Sequence, residues 1–155
     1  MRQRLCLLFF AFSPALLFSQ IPEGSPFTAS PVQLLQAGQS FKSDKPYPAT
    51  VLLDEHTFTF QSSGVATEER HLIYRVNSAE GVGGWSETSA EWQPWRQKKP
   101  EIRARVITAD GSVHELDPQT LTDVPLHEDS PDLYSDGRRF GGPLPAVAEG
   151  SVVED

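Results

Sequence analysis

Four histidines, His56, His71, His114 and His127, are the side chains in this 155-residue chain best suited to proton transfer or metal ligation. None lies in H-x-H or H-E-x-x-H spacing. A two-residue turn at Ser63-Gly64 would set His56 opposite His71, with Asp54 on the same strand face, and such a set suits zinc. A closed zinc site wants four ligands, so exposed strand histidines are the plainer reading. A metal-dependent hydrolase is accordingly the weaker alternative. The run EDSPDLYSDG holds Glu128, Asp129, Asp132 and Asp136, oxygen ligands of the kind calcium takes. Tyr134 falls at a ligand position and no Glu closes the loop, which favours a solvated acidic turn. A Ser, a His and an Asp can be picked from the chain, but no G-x-S-x-G elbow presents the serine and no G-x-x-x-x-G-K loop cradles phosphate. Arg138-Arg139, beside Gly141-Gly142, reads as a surface pair.

Trp85, Trp92 and Trp95 are the remaining candidates for binding. Indole faces stack on sugars or on partner side chains, and they also bury large areas where an irregular segment must be anchored. Pro94, between the last two, favours packing. The single cysteine, Cys6, lies in the first twenty residues, so a chain cleaved near residue 20 would have no thiol. Disulfides, thiolate metal ligands and a cysteine nucleophile would then be absent from it.

The first twenty residues, MRQRLCLLFFAFSPALLFSQ, begin with Arg2 and Arg4 and continue uncharged from Leu5 to Phe18. That layout is a secretory signal, followed by the Pro/Gly-rich IPEGSP, with a retained anchor as the alternative. The apolar stretch holds Pro14 and is shorter than the roughly 20 residues of a spanning helix. Lys and Arg number 13 against 21 Asp and Glu, a net charge of −8 that repels phosphate backbones and anionic membranes alike. Apolar residues at 38% suffice for a packed core, whereas 13 prolines and 11 glycines argue against a helical bundle.

Residues 21–48 are proline-rich and read as a linker or wrapping segment. A short helix over 31–37 is expected within it. Ser30 serves as N-cap, Pro31 takes the first helical position, Gln33 completes a capping box and Gly38 ends the run. So short a helix needs something to dock on. From Ala49 onwards β-branched and aromatic residues dominate, and residues 49–155 read as a β-rich domain. One hairpin spans about 49–76, its two-residue turn pairing Phe60 with Thr67, Phe58 with Glu69 and His56 with His71. A second spans about 101–116. There a type I turn with Gly111 in the left-handed position pairs Ile107 with Val113 and Arg105 with Glu115, apolar with apolar and plus with minus. Residues 77–100 read as a loop and then an edge-like strand around Trp85–Trp92, and residues 117–150 as mostly irregular. Val152-Val153 begins a further strand where the sequence stops, as in a domain incomplete at its C-terminus.

The succession VLLDEHTFTFQSSGVATEERHLIYRV, IRARVITADGSVHEL and YSDGRRFGGPLPAVAEGSVVE resembles a bacterial family, the domain of unknown function numbered 3857. The resemblance covers about residues 45–155. It is carried by the charged hairpin strand ending in Tyr74, by the Ala109-Asp110-Gly111 turn after Ile102, Ala104 and Val106, and by the closing Leu144-Pro145 and Glu149–Glu154. It implies an all-β, antiparallel, sandwich-like module of the kind found in exported proteins ahead of a transglutaminase-like domain with a Cys-His-Asp core. No such core follows in this sequence, so no catalytic residue, cofactor or metal ligand carries over.

The expectation is an exported, periplasmic or extracellular, non-catalytic accessory module. Its partner would be a transglutaminase-like domain or another exported protein, met through the Trp85, Trp92, Trp95 edge. Neither nucleic acid nor, once the signal is cleaved, an integral membrane span is expected. The alternative is a carbohydrate-binding module using the same three tryptophans.

Overall fold

The computed structural model describes residues 25–41, 47–126 and 136–155. The signal-peptide reading of residues 1–20, His127 and most of the acidic run (Glu128, Asp129, Asp132) lie outside the described residues. No helix among the described residues is long and apolar enough to cross a membrane.

Helix α1 (Pro31–Ser40) begins as its sequence dictates. The Ser30 hydroxyl accepts from the Gln33 N–H, and the Gln33 side-chain Oε1 accepts in return from the Ser30 N–H. Gly38 does not end the helix, which runs on to Ser40. The glycine sits within it because a Cβ there would come 2.9 Å from the Arg75 side chain and 3.2 Å from Val152. Close packing selects this glycine, and α1 docks through Leu34 and Ala37, which are buried.

Strands β1 (Ala49–Phe60), β2 (Ala66–Val76), β4 (Arg105–Ile107), β5 (Val113–Glu115) and β8 (Val152–Glu154) form a five-stranded antiparallel sheet in the order β1-β2-β8-β4-β5. Strands β3 (Glu87–Trp92), β6 (Thr122–Pro125) and β7 (Arg138–Pro143) form a three-stranded one, order β3-β7-β6. The fold is all-β and sandwich-like. Alternation along the strands sorts their side chains between two apolar clusters. Ile73, Ile107 and Val152 meet Leu34 of α1 on one face. Tyr74, Val76, Val106 and Val153 meet Leu116, Leu144 and the partly buried Trp85, Leu121 and Ile102 on the other. The Thr88 hydroxyl donates to the Asp155 carboxylate at 2.6 Å and ties β3 to the residue after β8.

The second hairpin has the expected register, Arg105 with Glu115 and Ile107 with Val113, though its ladder is shorter than residues 101–116. The first is displaced by one residue from the expected one: Phe60 pairs with Ala66, Phe58 with Glu68 and His56 with Arg70. Both turns have the same build. Gly64 N–H bonds to the Gln61 carbonyl and Gly111 N–H to that of Thr108, with φ of +84° and +88°. This is the three-residue, glycine-bulge loop, so the two-residue reading at Ser63-Gly64 slipped the ladder. A register shift between Val51 and Leu53 also bends β1 near its start.

One further expectation is corrected. Residues 77–86 are not a loop: Ser78 caps a short helix α2 (Ala79–Trp85), within which Gly81 meets the Pro48 carbonyl so closely that a Cβ would lie 2.1 Å from it. Within residues 117–150, a 3-10 turn (Pro118–Thr120), β6 and β7 interrupt the irregular stretches among the described residues.

Candidate functional site

Two places gather side chains able to do chemistry. One is the outer end of the three-stranded sheet, reached from β3. Trp92 faces Arg138 across the β3–β7 ladder, and Asp123 faces Phe140 across β6–β7. Asp123 Oδ1 accepts from Arg138 Nε at 2.8 Å and from Trp92 Nε1 at 3.4 Å, and Lys99 Nζ lies 3.5 Å from Oδ2. The same ammonium sits 3.9 Å from the centre of the Phe140 ring. Burial pushes the Asp123 carboxyl up, but the hydrogen bond and charge of Arg138, with Trp92 and Lys99, outweigh it and hold it below its ordinary value. Trp92 is half-buried in this network, while Trp95 stands 82% exposed beyond the strand end.

Trp85 is elsewhere. It ends α2, its ring centre lies 5.0 Å from that of Tyr74, and its carbonyl accepts from the Tyr74 hydroxyl at 2.8 Å. Burial, reinforced by the Asp155 carboxylate, pushes the Tyr74 phenol up. Trp92, the last residue of the edge strand, and Trp95 just beyond it are thus the two tryptophans left for a surface.

The second place is buried, beneath the N-terminal segment. Glu154 is fully enclosed: Oε1 accepts from the Phe27 N–H at 2.8 Å and from His71 Nε2 at 2.9 Å, and Oε2 from Arg105 Nε at 2.7 Å. Arg105 Nη2 also donates to the Ala29 carbonyl at 2.7 Å. Phe27 holds a left-handed backbone, φ +64°, and its ring lies 4.1 Å from the Arg103 guanidinium and 6.4 Å from the His71 ring. The His71 Nδ1 atom is buried without a partner. Sequence reading missed this cluster, although a signal was present. His71-x-Ile73, Arg105-x-Ile107 and Val152-x-Glu154 each place a polar residue two positions from an apolar core residue, hence on the same face. Three such strands side by side must pair their charges. A carboxylate holding these donors clamps the N-terminal segment to β2 and β4.

The imidazole pair expected to suit zinc is not formed. His71 faces Glu55 across the ladder and points to the buried clamp, while His56 lies on the opposite face of the hairpin. There His56 Nδ1 lies 2.9 Å from Glu68 Oε1, and Arg70 Nε donates to Asp54 at 2.9 Å. The hydrogen bond from Arg70 chiefly holds the Asp54 carboxyl low. Of the acidic run only Asp136 is described, so the calcium reading lies outside the described residues. His114 stands in β5, opposite Val106.

Two antiparallel sheets with a helix closing the outer face of the larger define an all-β module with a charged cluster buried inside it. A family described as Domain of Unknown Function with solved structure (DUF3857) matches residues 62–154, more than half of the sequence. The chain belongs to that family. Its fold is similar to a crystal structure of a provisionally assigned protease from Parabacteroides distasonis ATCC 8503, with a TM-score of 0.62 and 12% identity. The likeness covers 69% of this chain and 22% of that one. A 53-residue stretch is 43% identical to breast cancer anti-estrogen resistance protein 1 of Mus musculus and of Rattus norvegicus. That stretch is 34% of this chain, and 6% and 5% of the two curated proteins.

Proposed function

We propose that the chain is a non-catalytic accessory module of an exported protein, which docks on a transglutaminase-like or related catalytic domain. The docking surface is the β3 edge with Trp92 and Trp95. The observation that carries this reading is the build of that edge: a strand paired on one side only by its sheet, ending in one anchored and one exposed indole. Edge strands recruit a partner strand through backbone hydrogen bonds, and exposed aromatics anchor it. The similar fold in the Parabacteroides protein accounts for 22% of a longer chain, in keeping with a module that works beside other domains. The test is calorimetric titration against a purified transglutaminase-like domain of a bacterial exported protein. Trp95→Ala is expected to weaken binding at least about tenfold, the effect of a hot-spot aromatic, without lowering the melting temperature. Absence of binding by the wild type would defeat the proposal.

The exposure of Trp95 also favours a second reading, carbohydrate binding. Retardation on polysaccharide affinity gels, lost in Trp92→Ala and Trp95→Ala, would establish it in place of the first.

A further inference from the structure

The hairpin of β1 and β2 is longer than the sheet it belongs to. Residues 54–60 and 66–70 are exposed on both faces, so the outer half of the hairpin projects as a two-stranded arm. Its outer strand is an edge of the five-stranded sheet. One face of the arm carries His56, Phe58 and Phe60, and their partners on β2 are Arg70, Glu68 and Ala66. Phe58 and Phe60 remain 55% and 77% exposed, with no apolar side chain of size across the ladder to cover them. Residues 49–60 contain no Pro and no Lys, two of the devices by which natural edges are blocked, and the bulge between Val51 and Leu53 lies at the root of the arm.

The order of residues along this edge favours one occupant. His56-Thr57-Phe58-Thr59-Phe60 is nearly palindromic about Phe58, ring-Thr-ring-Thr-ring. We propose that β1 pairs antiparallel with β1 of a second copy of this chain, about a two-fold axis through Phe58. In that register Phe58 meets Phe58 of the other copy, and each His56 meets a Phe60 on the same face. Thr57 meets Thr59 on the opposite face. Glu55 meets Gln61, so no like charges oppose one another. Aromatic and Thr–Thr pairs are among the favourable cross-strand combinations. The result is a continuous β2-β1-β1-β2 ribbon, closed by the two-fold so that it does not propagate into a fibre. It leaves the β3 edge untouched and stands independently of the function proposed above.

The register makes the test specific. In the full chain carrying Cys6→Ser, Phe58→Cys places two thiols directly opposite, with Cβ atoms about 4.5–5.5 Å apart, so mild oxidation is expected to yield a covalent dimer. Phe60→Cys alone places its thiols four residues apart along the ribbon, roughly 14 Å, and is expected to stay monomeric under the same treatment. Adding His56→Cys to Phe60→Cys restores the cross-link. Sedimentation velocity of the wild type is expected to show a concentration-dependent dimer. Since the substituted side chains are exposed, thermal melts are expected to coincide, and they report directly whether each variant is folded. A wild type that stays monomeric throughout, or Phe60→Cys cross-linking as readily as Phe58→Cys, would overturn the proposal.

Discussion

At Glu154 hydrogen bonds from Phe27, His71 and Arg105 converge on one carboxylate, and the N-terminal segment is held to the sheet by them. Removing the acid would leave the Arg105 guanidinium buried without its counter-charge and free the Phe27 amide. Breaking such a pair costs about 3–5 kcal/mol, so Glu154→Ala is expected to shift urea unfolding strongly and to open the chain near residue 27 to limited proteolysis. Asp155 presents the opposite case. Its burial raises the carboxyl above its ordinary value, only partly offset by the Thr88 hydroxyl and the Arg70 charge. A raised carboxyl means that the folded state prefers the protonated form. Its favourable contribution is present at acid pH and is lost as pH rises through the folded value. Asp155→Asn, which still offers Thr88 an acceptor, is expected to melt higher than wild type at neutral pH, with the gap closing on acidification. Asp54, Asp110 and Asp123 act in the other direction. Hydrogen bonds from Arg70 to Asp54 and from Thr108 to Asp110 hold those two carboxyls low, and at Asp123 burial is outweighed by Arg138. Their contribution is present at neutral pH and disappears as pH falls through their lowered values.

Among the elements, α1 depends most on its surroundings. Ten residues with a capping box form a marginal helix alone, and Leu34, fully buried against Ile73, Ile107 and Val152, supplies the tertiary support. Leu34→Ala is expected to cost about 2–5 kcal/mol, measured as a shift in the unfolding midpoint at unchanged slope. The start of this helix was legible because the Ser30, Pro31 and Gln33 signals are local. Its end was not, because Gly38 answers to Arg75 and Val152, distant in sequence. The same division runs through the strands. Asp110-Gly111 with charges and apolar residues in matching places fixed the second hairpin's register, whereas Ser63-Gly64 had no such cross-strand check and the ladder was placed one residue off. Strands β6 and β7, TDVP and RRFGGP, carry prolines and paired glycines in place of alternation. They become strands through each other and β3: a Cβ on Gly141 would lie 2.3 Å from the Thr88 carbonyl.

For the molecule as a whole, fold class was readable from composition and strand texture. The Glu154 clamp escaped because its local signals, on β2, β4 and β8, lie far apart in sequence and only the strand order sets them side by side. Both proposed contacts lie at the rims of the sheets, β3 on one and β1 on the other, leaving the packed faces between them to stability. The position of β8 has a consequence for biogenesis. Strand β8, which follows β2 by some eighty positions, lies between β2 and β4 and supplies the ladder that joins the two hairpins of the larger sheet. Until β8 has left the ribosome neither hairpin has its central partner strand, and whatever ladder either forms is open to its neighbours. Assembly waits on a late, long-range closure, which makes acquisition of the native state slow and gives a holdase its interval to act.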